Sequence, residues 1–289
     1  MYILMLLPIL ATVADGCVSK TFTQSPHRNK TILFFCAGKP FFGAVLFLML
    51  SLVSGGQSSL SPFAFVAGIV GGLAVSLTTY FVIKAMNEGP MALTVLFLSS
   101  GFLVPCLVGP LIFGEPVTAF SALGIGMQLT GLVLISNVDL DFNVKNKRRY
   151  LAYLILCLIG NGTFMVFQKL PSVFFPEEGV TWYTAVMLGT ACLFSLFLMF
   201  FQKGNMERAE KRSASVISFF SGVCLTVVTV CNLFLGRFLP AGVSFTVQSA
   251  GILILNLLTG ILLYQDRLTL KKGIGALLSL ASILLLSIS

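Results

Sequence analysis

Two ionisable residues lie inside long apolar stretches of this chain. Asp15 ends the run "MYILMLLPILATVAD" and Lys39 interrupts "TILFFCAGKPFFGAVLFLML". Ionisable groups in such settings are costly, and they mark ion paths, substrate sites or mutual pairing. If both helices are entered from the same membrane face, each group sits about seven residues in, roughly 10 Å deep at 1.5 Å per residue. Three roles stay open at this point: a structural ion pair, a substrate or coupling-ion site, or interfacial positions.

Two further acids punctuate the chain. Glu115 breaks "GPLIFGEPVTAFSALGIG" (109–126) and Asp266 breaks "GILLYQDRLTLKKGIG" (260–275). A carboxylate there can cap the start of the following helix, at the positive end of its dipole. Pro116 suits a first helical turn. Both acids are expected to be structural turn caps. Other chemistry is missing. His27, in the polar stretch "TQSPHRNK", has no second histidine to join it. The cysteines Cys17, Cys36, Cys106, Cys157, Cys192, Cys224 and Cys231 form no C-x-x-C pair and read as small buried hydrophobes. There is no nucleophile with a neighbouring base, no acid pair spaced for a metal and no Walker motif. No enzymatic activity, cofactor or metal is expected, and any energy would come from gradients or exchange.

The elements that position these residues follow from composition. The chain is 57% hydrophobic and 10% charged, where a soluble domain carries about 25% charged residues. Uncharged runs such as 64–83 and 242–265 reach the roughly 20 residues that span a bilayer. They are continuous and do not alternate, which favours helices over a barrel. Polar breaks divide the chain into ten spans near 1–22, 32–53, 62–86, 90–113, 116–137, 150–170, 179–201, 214–236, 239–264 and 268–288. The first lacks a charged start and reads as a retained helix, not a signal peptide.

The net charge of +8 sits in short breaks between spans, so it reports topology, not nucleic acid. Lys20, Arg28, Lys30, Lys84, Lys145, Lys147, Arg148, Arg149, Lys203, Arg208, Lys211, Arg212, Arg267, Lys271 and Lys272 follow odd-numbered spans. Only Lys169 and Arg237 follow even-numbered ones. Basic loops stay in the cytoplasm, so both termini are expected outside.

An internal repeat relates the two acid breaks. At an offset of 150, Pro90 matches Pro240, Ser99 matches Ser249, Gly101 matches Gly251, Gly72 matches Gly222, Ser76 matches Thr226 and Thr79 matches Thr229. With one-residue slips Glu115 matches Asp266, and Gly-Ile-Gly at 124–126 matches 273–275. Asp15-Gly16 can be laid on Asn161-Gly162. The expected organisation is a first five-helix repeat (1–137), a basic cytoplasmic linker (138–149) and a second repeat (150–289). Five helices per unit invert the second copy, as in secondary transporters with a site between the halves.

The stretches "GPMALTVLFLSSGFLVPCLVGPLIFGEPVT…GIGMQLTGLVLIS" and "PAGVSFTVQSAGILILNLLTGILLYQDRLT…GIGALLSLASILLLS" resemble the drug/metabolite transporter superfamily, in particular its ten-helix EamA-like bacterial members. The resemblance is strongest in spans 3–5 and 8–10. It implies a basket of helices around a central cavity, with alternating access by rocking of the halves. The fifth and tenth helices would lie at the back or at a homodimer contact. The break "SGGQSSLSP" is uncharged where many relatives carry arginines, so orientation rests on the charge count.

Ser76, Thr79 and Tyr80 recur at spacings that share a helix face, and Thr226, Thr229 and Asn232 do so in the repeat mate. These residues, with Asp15, Ser99, Asn161 and Gln248, are the candidate substrate-binding set. Asp15 and Lys39 are the candidate coupling or ion pair. Ser100, Ser249 and Asn256 add hydrogen-bonding groups. Pro105 and Pro110 are expected to bend the fourth span. A path with so little net charge suits a zwitterionic or moderately apolar solute. The expected function is a secondary transporter of a small metabolite such as an amino acid, an exporter or exchanger in a bacterial inner membrane. A lipid-carrier flippase or accessory membrane subunit is the alternative, and an integral membrane enzyme ranks below both.

Overall fold

The computed structural model describes residues 5–23, 29–54, 60–114, 119, 122–127, 129–131, 146–175, 179–202, 206–236, 247–249, 251–256, 258–259, 273–275, 277–278, 280–282 and 285. Among them the regular structure is helical, with no strand. The main helices are α1 (Leu6–Thr23), α2 (Asn29–Ser54), α3 (Pro62–Glu88), α4 (Met91–Ser99), α5 (Leu103–Ile112), α6 (Lys147–Phe174), α7 (Val180–Phe200) and α8 (Arg208–Gly236). Described residues at 247–256 and 273–282 are also helical. Among the described residues, six helical stretches are long and apolar enough to cross a bilayer: Asn29–Leu50, Pro62–Glu88, Leu93–Ile112, Lys147–Phe174, Val180–Phe200 and Arg208–Leu235. The protein is a multi-pass, all-α membrane protein. The turns holding Glu115 and Asp266, and residues 138–145 of the expected linker, lie outside the described residues.

Local chemistry sets the helix ends. Ser61 caps α3 by accepting from the Ala64 amide at 3.2 Å, with Pro62 at the first turn. The Gly89 amide closes α3 on the Ala85 carbonyl at 2.9 Å. A Cβ on Gly89 would enter the Tyr150 ring, so close approach demands glycine there. Gly114, at φ +66°, follows the end of α5 in the left-handed geometry typical of a helix stop.

Three expected helix bounds are corrected, both ends of the sixth span and the start of the eighth. The sixth span begins at Lys147, because Asn146 accepts from the Arg149 amide and caps it. Lys147, Arg148 and Arg149 are therefore a helical turn, not linker. The same span continues through Pro171 to Phe174, which puts Lys169 inside the helix, 7% exposed, with its ammonium over the Phe113 ring. The eighth span starts at Arg208, so Arg208, Lys211 and Arg212 are also helical. The fourth span is split by a 3-10 turn at Ser100–Phe102. Pro105 has no amide to give the Gly101 carbonyl and its ring crowds it, so the distortion falls on the turn before the proline.

The two halves interlock. α2 packs along α7, α3 along α6 and α7, and α8 along α1 and α2. Exchanging α1 with α6, α2 with α7 and α3 with α8 maps this set of contacts onto itself. Small residues permit the closest crossings. A Cβ on Gly72 would strike the Met187 carbonyl of α7, and one on Gly222 would lie 2.8 Å from the Lys39 carbonyl of α2. These glycines are 150 positions apart and serve matching crossings.

Candidate functional site

A cavity of about 150 Å³ opens between the halves, walled by α1, α2, α3, α4, α6, α8 and residues 248–256. One water needs about 10–15 Å³ by this kind of measure, so the space suits a small solute. Its wall on α3 is the stripe Val75, Thr78, Thr79, Val82, Ile83 and Met86; on α8 it is Leu225, Val228 and Asn232. Both stripes keep helical spacing. They also correspond: Val75 with Leu225, Thr78 with Val228, Val82 with Asn232, all at an offset of 150. Ser99 and Ser249 line the cavity at the same offset, and Asp15 and Asn161 at an offset of 146.

Lys39 Nζ reaches Asp15 Oδ2 at 2.5 Å, and Ser221 donates to the other carboxylate oxygen. The side chains are only 11% and 21% exposed for Lys39 and Asp15. Asp15 stands eight residues inside α1 from Thr23, and Lys39 ten inside α2 from Asn29, or about 12 and 15 Å. Both charges therefore stand well inside their helices, away from the helix ends. Removing charge from water at that depth is tolerable only where a partner and hydrogen bonds replace hydration.

Of the other candidates, Thr79, Ser99, Asn161, Asn232 and Gln248 line the cavity. Asn161 donates to the Leu98 carbonyl at 2.8 Å, across the close approach of Gly101 and Gly162. Ser76, Tyr80, Thr226 and Thr229 do not line it. Ser76 pairs with Ser195 of α7 at 2.6 Å. Tyr80 packs edge-on against Phe81, with Lys84 5.6 Å from its ring centre. Thr226 and Thr229 return their hydroxyls to the Gly222 and Leu225 carbonyls of their own helix. The cavity faces are turned toward the residues one position earlier, so of the two polar stripes only Thr79 and Asn232 fall on them. Glu115 and Asp266 lie outside the described residues.

The sequence reading missed Thr12, Ser19, Thr78 and Gln168, which also line the cavity. The unmet polar groups are concentrated here. Ser99 Oγ, Gln168 Nε2, Asn232 Oδ1, Ser249 Oγ and Asn256 Oδ1 are buried without a hydrogen-bond partner among the described residues, and all five residues line the cavity. Each such atom costs about 1–3 kcal/mol if nothing meets it.

The basic ends of the helices meet at one end of the bundle. Lys84 bonds Asn29, Arg149 pairs with Glu88 at 3.4 Å, Lys20 reaches the Met86 carbonyl at 3.4 Å and Thr31 donates to Glu210 at 3.4 Å.

No family model matches the chain, and no curated protein matches it significantly. A solved structure, described as "Crystal structure of protein", is similar over 99% of this chain and 96% of its own, with a TM-score of 0.67 and 16% sequence identity. The chain shares that protein's fold.

Proposed function

We propose that the chain is a secondary transporter of a small metabolite, built as ten transmembrane helices in two inverted five-helix repeats of the drug/metabolite transporter type. The observation that carries this reading is the cavity between the halves, with walls at positions 150 apart and five lining residues that each bear an unmet buried polar atom. A packing interface has no use for such atoms, whereas a solute pathway does. The contact pattern that survives exchange of the halves supports a two-fold relation, and inverted repeats place substrate sites at their interface. With the basic helix ends in the cytoplasm, both termini lie outside a bacterial inner membrane. The polar contacts at the basic end must then separate when the halves rock toward the cytoplasm.

Counterflow in proteoliposomes tests the reading. Vesicles preloaded with an unlabelled solute should accumulate the same labelled solute transiently, and Asp15→Asn should alter that accumulation. Movement of labelled lipid, with no soluble solute exchanged, refutes it.

A further inference from the structure

α6 and α8 meet at the cavity through two side-chain amides. Asn232 Nδ2 donates to Gln168 Oε1 at 3.0 Å. Two primary amides can close a ring with a second bond, here from Gln168 Nε2 to Asn232 Oδ1. That bond is not made. Both atoms are buried without a partner among the described residues, and both residues line the cavity. The pair therefore offers an N–H donor and a carbonyl acceptor together, with no charge on either. The Asp15–Lys39 pair, on α1 and α2 in the same cavity lining, neutralises itself.

We propose that Gln168 and Asn232 recognise an uncharged carboxamide edge of the solute. Its carbonyl accepts from Gln168 Nε2 and its N–H donates to Asn232 Oδ1. This rests on the transporter reading and narrows its substrate class. A carboxylate brings acceptors only and sets its lone pairs against those of Asn232 Oδ1. An ammonium brings donors only and leaves Gln168 Nε2 unmet. An alkyl group satisfies neither atom. Failing to meet a buried polar group costs enough to discriminate. The hydroxyls of Ser99 and Ser249 both donate and accept, and can serve the solute's other polar groups.

The test uses matched solutes that differ only in this edge: glutamine with glutamate, asparagine with aspartate, nicotinamide with nicotinate. Dissociation constants are read from ligand-dependent shifts in the unfolding temperature of the purified full-length protein. For at least one pair, the amide should bind about tenfold or more tightly than its acid, the loss expected from one unmet buried group. Gln168→Met and Asn232→Leu, close in volume and without these polar atoms, should each bring the two members within about threefold. If one variant fails to fold, the other decides, since the proposed contact needs both side chains. Equal binding of amide and acid by the native protein overturns the proposal, as does a preference that survives in a folded variant. Either result leaves the transporter reading intact. Failure of every soluble solute in both binding and counterflow overturns the two together.

Discussion

Lys39→Met should destabilise the protein far more than it does in a chain that also carries Asp15→Asn. In the native structure both charges are mostly buried and 2.5 Å apart. Removing Lys39 leaves Asp15 with the Ser221 hydroxyl and no countercharge. Breaking a buried pair this way costs about 3–5 kcal/mol; one retained hydrogen bond places the expected loss near the lower end, about 3 kcal/mol. Asp15→Asn leaves Lys39 facing a neutral oxygen and should cost about 2 kcal/mol. The double variant buries no charge and loses little more than one hydrogen bond, about 1 kcal/mol. The interaction energy is then about 4 kcal/mol, far beyond the roughly 0.5 kcal/mol within which independent sites add. The assay is reversible denaturant unfolding of the four proteins in one detergent. Additivity within that margin would refute the reasoning, because it would mean that each charge finds other compensation, such as water in the cavity.

Gly72→Ala and Gly222→Ala should each lower stability by about 1–3 kcal/mol, the usual cost of overpacking, because the added Cβ meets a neighbouring helix backbone; equal stability in a denaturation series would count against the crossings. Ser76→Ala and Ser195→Ala should each leave a buried hydroxyl unmet and cost about 1–3 kcal/mol, while the double variant costs no more than either; strictly additive losses would show that the bond is not shared. A reporter active only in the cytoplasm should be silent when fused after Ser289 and active when inserted between residues 138 and 146; the opposite pattern would invert the topology.

The helices were legible in the sequence because apolar length is a coarse property that survives errors in detail. Their ends were less so. Lys147, Arg148 and Arg149 look like loop by charge, yet one side-chain cap from Asn146 winds them into α6. Gln168 was overlooked for a related reason: it precedes Lys169 and Pro171, which suggest a helix end, but α6 runs on to Phe174. The facing of hydroxyls was the hardest feature to read. Thr226 and Thr229 satisfy themselves on their own backbone, so their polarity does not say which side meets the cavity. The stripe of Leu225, Val228 and Asn232 does, and two of its three residues are apolar. Asp15 and Lys39 were readable because a lone charge in an apolar helix needs a partner whatever the packing.

The glycine crossings carry a mechanical consequence. Gly72 marks a close approach of α3 to α7, and a tilt of α3 would pivot most easily there. It divides the helix unequally: ten residues reach back to Pro62 and sixteen forward to Glu88, arms of about 15 and 24 Å. A tilt of about 10° would swing the far ends by roughly 3 and 4 Å in opposite directions, given those arm lengths. The longer arm ends at Glu88, in the ion pair with Arg149, so the leverage of such a tilt is greatest on that tie.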